Sequence, residues 1–141
     1  MAQPATLTVT LPDPGATEGL GAALAAAILA VRPAGLTVWL DGGLGAGKTA
    51  LARACLRGLG HAGRVPSPTY TLVEPYDLAG YAVVHADLYR LQSPDELDDL
   101  ALREALGPGT LALIEWPGRA GGRLPAADLV VALAPAGPGR V

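Results

Sequence analysis

The chain has 141 residues, and at roughly 150 residues per domain this predicts one domain spanning 1–141, with room for a single site. With 10 basic and 13 acidic residues, net charge −3 and a pI near 5.2, its field opposes polyanions, so no direct binding to nucleic acid is expected of it alone. The one cysteine excludes disulfides within the chain and suits a reducing cytoplasm, and the longest uncharged apolar stretch, Leu20 to Val31, is too short to span a bilayer and lacks a basic n-region, so neither membrane anchor nor export signal is expected.

Thr6 to Leu11 alternates Leu7, Val9 and Leu11 with threonines, the period of a half-buried strand. Asp13 and Pro14 offer an N-cap and a rigid first turn to an Ala/Leu helix over Thr17 to Val31, ended by Pro33 and Gly35. Leu36 to Leu40 reads as a strand leading through Asp41 into a glycine-rich turn, and Lys48 to Leu59 as a helix closed by Gly58 and Gly60. Within that helix Cys55 lies between Ala54 and Leu56 and is expected to be a buried apolar side chain. Thr69 to Tyr76 and Tyr81 to Ala86 read as a hairpin around Asp77, Leu78, Ala79 and Gly80. Ser93, Pro94 and Glu96 form a capping box for a helix through Leu106, stopped by Gly107, Pro108 and Gly109. Thr110 to Ile114 is a buried strand and Asp128 to Leu133 a weaker one, and the tail from Ala134 is expected to fray.

Gly42-Gly43-Leu44-Gly45-Ala46-Gly47-Lys48-Thr49 fits the G-x-x-x-x-G-K-[ST] pattern at every fixed position, directly after a predicted strand and at the start of a predicted helix. Glycines let the backbone curl so that successive amides converge on phosphate oxygens, and the helix start adds its positive dipole end. Lys48 would neutralise the β- and γ-phosphates, and Thr49 would place its hydroxyl on Mg²⁺. Lys48 is also the only lysine in the chain, the other nine basic residues being arginine. A plain glycine turn would need no lysine there. The expected nucleotide-binding set is therefore Gly43, Leu44, Gly45, Ala46, Gly47, Lys48, Thr49 and Ala50. The expected fold is α/β, a three-layer P-loop NTPase-like arrangement with a mixed β-sheet flanked by helices.

Such a site also needs an acidic residue at the end of a buried strand, to hold Mg²⁺ and help orient the attacking water. Asp87 ends one apolar run and Glu115 another, and Trp116 and Pro117 leave Glu115 at the carboxyl end of its strand, where ligands bind in open α/β sheets. Both are expected at the site, catalytic together with Lys48 and ligating metal together with Thr49. Their separate roles stay open. The hydroxyl-rich segment from Ser67 to Val73, with Thr69 in it, reads either as a switch closing over the γ-phosphate or as the start of an edge strand. Trp116 reads as a stacking surface for adenine or a partner, or as rim packing. His85, with only His61 as a companion, is expected to be a hydrogen-bonded strand residue near the site and not a metal ligand.

The chain resembles the TsaE family, formerly YjeE, through four ordered segments: residues 43 to 49 of the glycine loop, Ser-Pro-Thr-Tyr-Thr-Leu-Val (67 to 73), His-Ala-Asp-Leu-Tyr-Arg-Leu (85 to 91) and Ile-Glu-Trp-Pro (114 to 117). The resemblance implies a small bacterial P-loop ATPase, weakly active alone, required for the threonylcarbamoyladenosine modification of tRNA. It implies ATP and Mg²⁺ at Lys48 and Thr49, functional roles for Asp87 and Glu115, and places Thr69 and Trp116 at the nucleotide site. It further implies TsaB and TsaD as partners, with TsaD carrying the transfer chemistry and ATP hydrolysis resetting the complex. The chain departs from the family in having Gly118 and Arg119 where an acid often follows Ile-Glu-Trp-Pro, and in a short last strand region. A small-molecule kinase, with Arg119 and Arg123 as lid residues, is one alternative, and an ATP-sensing scaffold whose hydrolysis is dispensable is another. A GTP switch would need an Asn/Thr-Lys-x-Asp segment to read guanine, which a chain without asparagine and with its one lysine already used does not supply.

Overall fold

Asp13 caps the first helix as its sequence position suggests: its carboxylate accepts from the Ala16 N–H at 2.8 Å and Pro14 opens the helix. The computed structural model describes residues 6–66, 68, 72–98 and 104–134, and in it this helix, α1, runs Pro14–Val31 and ends on left-handed Arg32. Its buried residues Thr17, Gly21, Ala25 and Ile28 make one stripe at helical spacing. That stripe packs on α2, Lys48–Gly58. A β-carbon on Gly21 would lie 2.3 Å from the Leu51 carbonyl oxygen, and one on Gly58 would lie 2.6 Å from Ala25 Cβ. The two helices thus meet backbone to backbone. With its first turn included, α1 has 18 residues at mean hydropathy 1.4, long and apolar enough to cross a membrane by length and composition. This corrects the judgement made from Leu20 to Val31 alone.

Five strands form one mixed sheet: β1 (Leu36–Gly42), β2 (Val73–Leu78), β3 (Tyr81–Asp87), β4 (Leu111–Glu115) and β5 (Leu129–Leu133), in the order β2-β3-β4-β1-β5. Only β2 is antiparallel to its neighbour; the other pairings are parallel. The central strand β4 is buried along its whole length, as expected where both faces of a parallel sheet are covered. On one face Val38, Leu40, Val83, Leu111 and Leu113 pack with α1 and α2. On the other, Val84, Ala86, Ala112 and Ile114 pack with Leu88, Leu91, Leu97 and Ala120. The fold is α/β, a mixed sheet with flanking helices, as expected.

Three elements differ from expectation. Residues 6–11 form no strand, and Leu7 and Val9 are 87% and 54% exposed; alternation yields a strand only where a neighbour completes the ladder, and among the described residues none does. The hairpin turn is only Ala79 and Gly80, both at positive φ, because two such residues match the twist of the flanking strands; Asp77 and Leu78 belong to β2. The Ser93 capping box forms, with Glu96 Oε2 accepting from the Gln92 and Ser93 amides at 2.8 and 3.2 Å, but it opens a 3₁₀ turn over Pro94–Asp98. Residues 99–103 of that expected helix lie outside the described residues, as do Ser67, Thr69 to Thr71 and the tail from residue 135, while Glu104 and Ala105 near its expected end are helical.

Candidate functional site

Strand register brings the site together. In the parallel ladders Glu115 is level with both Leu40 of β1 and Asp87 of β3, so the two carboxylates end adjacent strands side by side just where β1 runs out into the glycine loop. Period two then decides the face. Val83, His85 and Asp87 point to one side of β3, and Leu111, Leu113 and Glu115 to the same side of β4, the side that α2 covers.

The loop curls through positive φ at Gly42 (144°), Gly45 (74°) and Gly47 (106°). At Gly42 a β-carbon would lie 2.5 Å from the Leu133 carbonyl oxygen, so only glycine lets β1 turn beneath the end of β5. Gly47 starts α2 without a side-chain cap, and the first amides of a helix have no intrahelical partner. An uncapped N-terminus of this kind suits an anion.

Lys48 is 5% exposed. Its ammonium donates to the carbonyls of Gly42 and Gly43, the latter at 2.8 Å, and stands 3.9 Å from the centre of the Trp116 ring. Burial pulls its pKa below the usual lysine value, opposed by the charges of Glu115, Asp41 and Asp87. Thr49 Oγ1 donates to Glu115 Oε1 at 2.7 Å, and His85 Nε2 bonds Glu115 Oε2 at 2.7 Å. Asp87, 7% exposed, accepts from the Tyr89 N–H at 3.0 Å. Burial raises its carboxyl above the ordinary value; the Tyr89 bond opposes this, and the neighbouring Glu115 charge adds to it.

A cavity of about 440 Å³ opens in front of these groups, lined by residues 44–50 of the loop and helix together with Asp87, Tyr89, Arg90, Glu115 and Trp116. It lies within the usual range for small-ligand sites. Of the residues expected here, Leu44, Gly45, Ala46, Gly47, Lys48, Thr49, Ala50, Asp87, Glu115 and Trp116 all line it. Gly43 serves instead to hold Lys48, and Thr69 lies outside the described residues. Trp116 itself adopts left-handed φ 58°, ψ 51°, which swings its ring over the lysine and against Tyr89, 5.0 Å between ring centres. Composition named no role for Tyr89 or Arg90, although both fall in the first turn after β3, at the end where ligands collect. Of the two arginines in the kinase alternative, Arg123 is tied to Asp95 and Asp98, and Arg119 stacks over the Tyr89 and Trp116 rings at 5.3 and 5.9 Å.

The donor set fits a magnesium-bound nucleotide: an uncapped helix start and an ammonium would suit phosphate, and one hydroxyl and two carboxylates would suit the metal. Among the described residues no group of three His, Cys, Asp or Glu side chains could hold a metal by itself. Mg²⁺ suits such a sparse set, since it keeps waters and shares phosphate oxygens.

Residues 11–139 match the family model described as "Threonylcarbamoyl adenosine biosynthesis protein TsaE". The tRNA threonylcarbamoyladenosine biosynthesis protein TsaE of Haemophilus influenzae is 44% identical over 126 residues, 89% of this chain and 80% of that protein. The Bacillus subtilis protein of the same name is 34% identical over 115 residues, 82% of this chain and 72% of its own. The match to TsaE of Rickettsia felis is shorter, 44% identity over 56% of this chain and 46% of that protein. Among solved structures, YdiB of Bacillus subtilis superposes with a TM-score of 0.62 at 27% identity, covering 89% of this chain and 74% of that one. A family match spanning nearly the whole sequence, joined to the same fold, makes the chain a member of the TsaE family.

Proposed function

We propose that the protein is a magnesium-dependent ATP-binding and slowly ATP-hydrolysing accessory factor of tRNA threonylcarbamoyladenosine biosynthesis, working with the TsaB and TsaD proteins in the cytoplasm. The observation that carries this reading is the bond from Thr49 Oγ1 to Glu115 Oε1, which joins the first turn of α2 to the end of β4 at the floor of the cavity. The amides at the start of α2 would receive the β- and γ-phosphates. Lys48 would exchange its two loop carbonyls for phosphate oxygens, a short swing because its ammonium already sits at the loop. Thr49 and Glu115 would hold Mg²⁺, with Asp87 beside them, and the metal supplies charge neutralisation on the phosphate oxygens. The two carboxylates would also orient the attacking water. The Trp116 ring would close the cavity at the lysine.

Calorimetry with ATP and Mg²⁺ tests the binding half: the wild type should bind, and Lys48→Ala should lose binding by at least tenfold; unchanged affinity in that variant refutes the assignment. The catalytic half is tested by phosphate release with and without purified TsaB and TsaD. Slow turnover alone and faster turnover in the mixture is the expected result. A phosphorylated small molecule in place of free phosphate would instead indicate a kinase.

A further inference from the structure

His85 is the one buried imidazole of the chain and is fully inaccessible to solvent. It sits on β3 level with Leu113 in the ladder to β4, on the face that carries Val83 and Leu113, where an aliphatic side chain would leave no polar atom to satisfy. Its Nδ1 has no hydrogen-bond partner in the structure. An unpartnered buried polar atom costs stability. The position therefore carries a polar side chain at a cost, and the feature that its other nitrogen provides is the 2.7 Å bond to Glu115 Oε2.

That bond controls a specific degree of freedom. Glu115 is 2% exposed, and its carboxylate is held from two sides, by Thr49 on Oε1 and by His85 on Oε2. Asp87 lies level with it on the next strand, and two adjacent carboxylates repel, so without a second anchor Glu115 would turn about its own side-chain torsions away from its neighbour. Asp87 has a separate anchor in the Tyr89 amide. Each acid thus has its own support, and the one for Glu115 is the imidazole.

We propose that His85 is a positioning residue: by donating from Nε2 to Glu115 Oε2, it fixes the carboxylate so that Oε1 faces Thr49, and thereby sets the affinity of the site for Mg²⁺ with nucleotide. The inference rests on the functional reading above. Outer partners of ligating carboxylates and imidazoles typically govern metal affinity by about 10- to 100-fold.

The test compares wild type with His85→Leu, His85→Asn and His85→Gln, titrating a non-hydrolysable ATP analogue by calorimetry in EDTA and at graded Mg²⁺, with thermal melting alongside. Glutamine can place an N–H near the Nε2 position, whereas asparagine falls short of Glu115 and leucine has no donor. The expected result is that Leu and Asn raise the half-saturating Mg²⁺ concentration by about 10- to 100-fold, that affinity for the analogue in EDTA stays within about twofold, and that Gln restores most of the Mg²⁺ response. Equal losses with and without Mg²⁺, or Gln behaving like Asn, would mean that His85 acts only in folding, and the proposal falls. Should the Leu variant fail to fold, the Asn and Gln pair decides in the same way. A wild type that binds the analogue no better with Mg²⁺ than without overturns the functional reading and the inference together, whereas a normal wild type with unaffected Asn and Leu variants overturns the inference alone.

Discussion

Asp87 shows how a single buried carboxylate is tuned against the stability of the fold. Burial raises its pKa in the folded state above the ordinary 3.8, so the folded protein holds that proton more tightly than the unfolded chain does. Stability therefore falls as pH rises from 3.8 through the folded value, and above it the full penalty of a buried charge is present. Asparagine at the same place carries no charge, and its oxygen can still accept from Tyr89. Asp87→Asn is accordingly expected to raise the melting temperature of the metal-free protein at pH 7, with the gain vanishing below about pH 3.8, while phosphate release is lost. A melting temperature at pH 7 equal to or below the wild type would contradict this. The opposition is the familiar one in which a group at a candidate site is kept at the expense of stability. At this scale the sequence was informative: Lys48, Thr49, Asp87 and Glu115 were all recognisable from motif and strand end. His85 was legible as a hydrogen-bonded strand residue, and its spacing to Asp87, two residues along a strand, already placed both on one face. Its partner was not legible, because that depends on which strand lies beside β3.

At the scale of elements, the contact between α1 and α2 decides where the helix bearing Lys48 and Thr49 sits. Thr17 of α1 reaches the loop itself, since a β-carbon on Gly47 would touch its methyl at 3.1 Å. Two glycines of α1 should respond in opposite ways to the same substitution. Gly21→Ala would drive a methyl to 2.3 Å from a backbone oxygen of α2, and the forced separation is expected to cost about 1–3 kcal/mol. Gly19 has nothing within 4 Å, so Gly19→Ala gains helix propensity and should stabilise by roughly 0.5–1 kcal/mol. Urea unfolding of both variants checks the pair, and a shift of the same sign in both would show that helix packing does not fix this boundary. Helix periodicity foretold α1 and α2, and apolar runs foretold β1, β3 and β4, because those signals are local. The strand expected at Thr6 to Leu11 did not form, since a strand also needs a neighbour that its own residues do not specify.

For the whole molecule, the sheet with α1 and α2 on one side creates an interior in which Cys55 is fully buried and its thiol is pushed up to about 12 by loss of solvent. A thiol reagent at pH 8 should thus react only as fast as the protein unfolds, and labelling kinetics that follow denaturant unfolding would confirm it; rapid labelling of the native protein would not fit this packing. What the sequence by itself determined is everything carried by short spacing: the glycine loop, the cap at Asp13, the strand-end acids and the family to which the chain belongs. The tertiary structure alone decided that β4 lies between β1 and β3, and so that Glu115 stands level with Asp87, within bonding distance of Thr49 and His85. The physical reason is that hydrogen-bond ladders between strands join residues tens of positions apart, and no local pattern of side chains records which ladder will close.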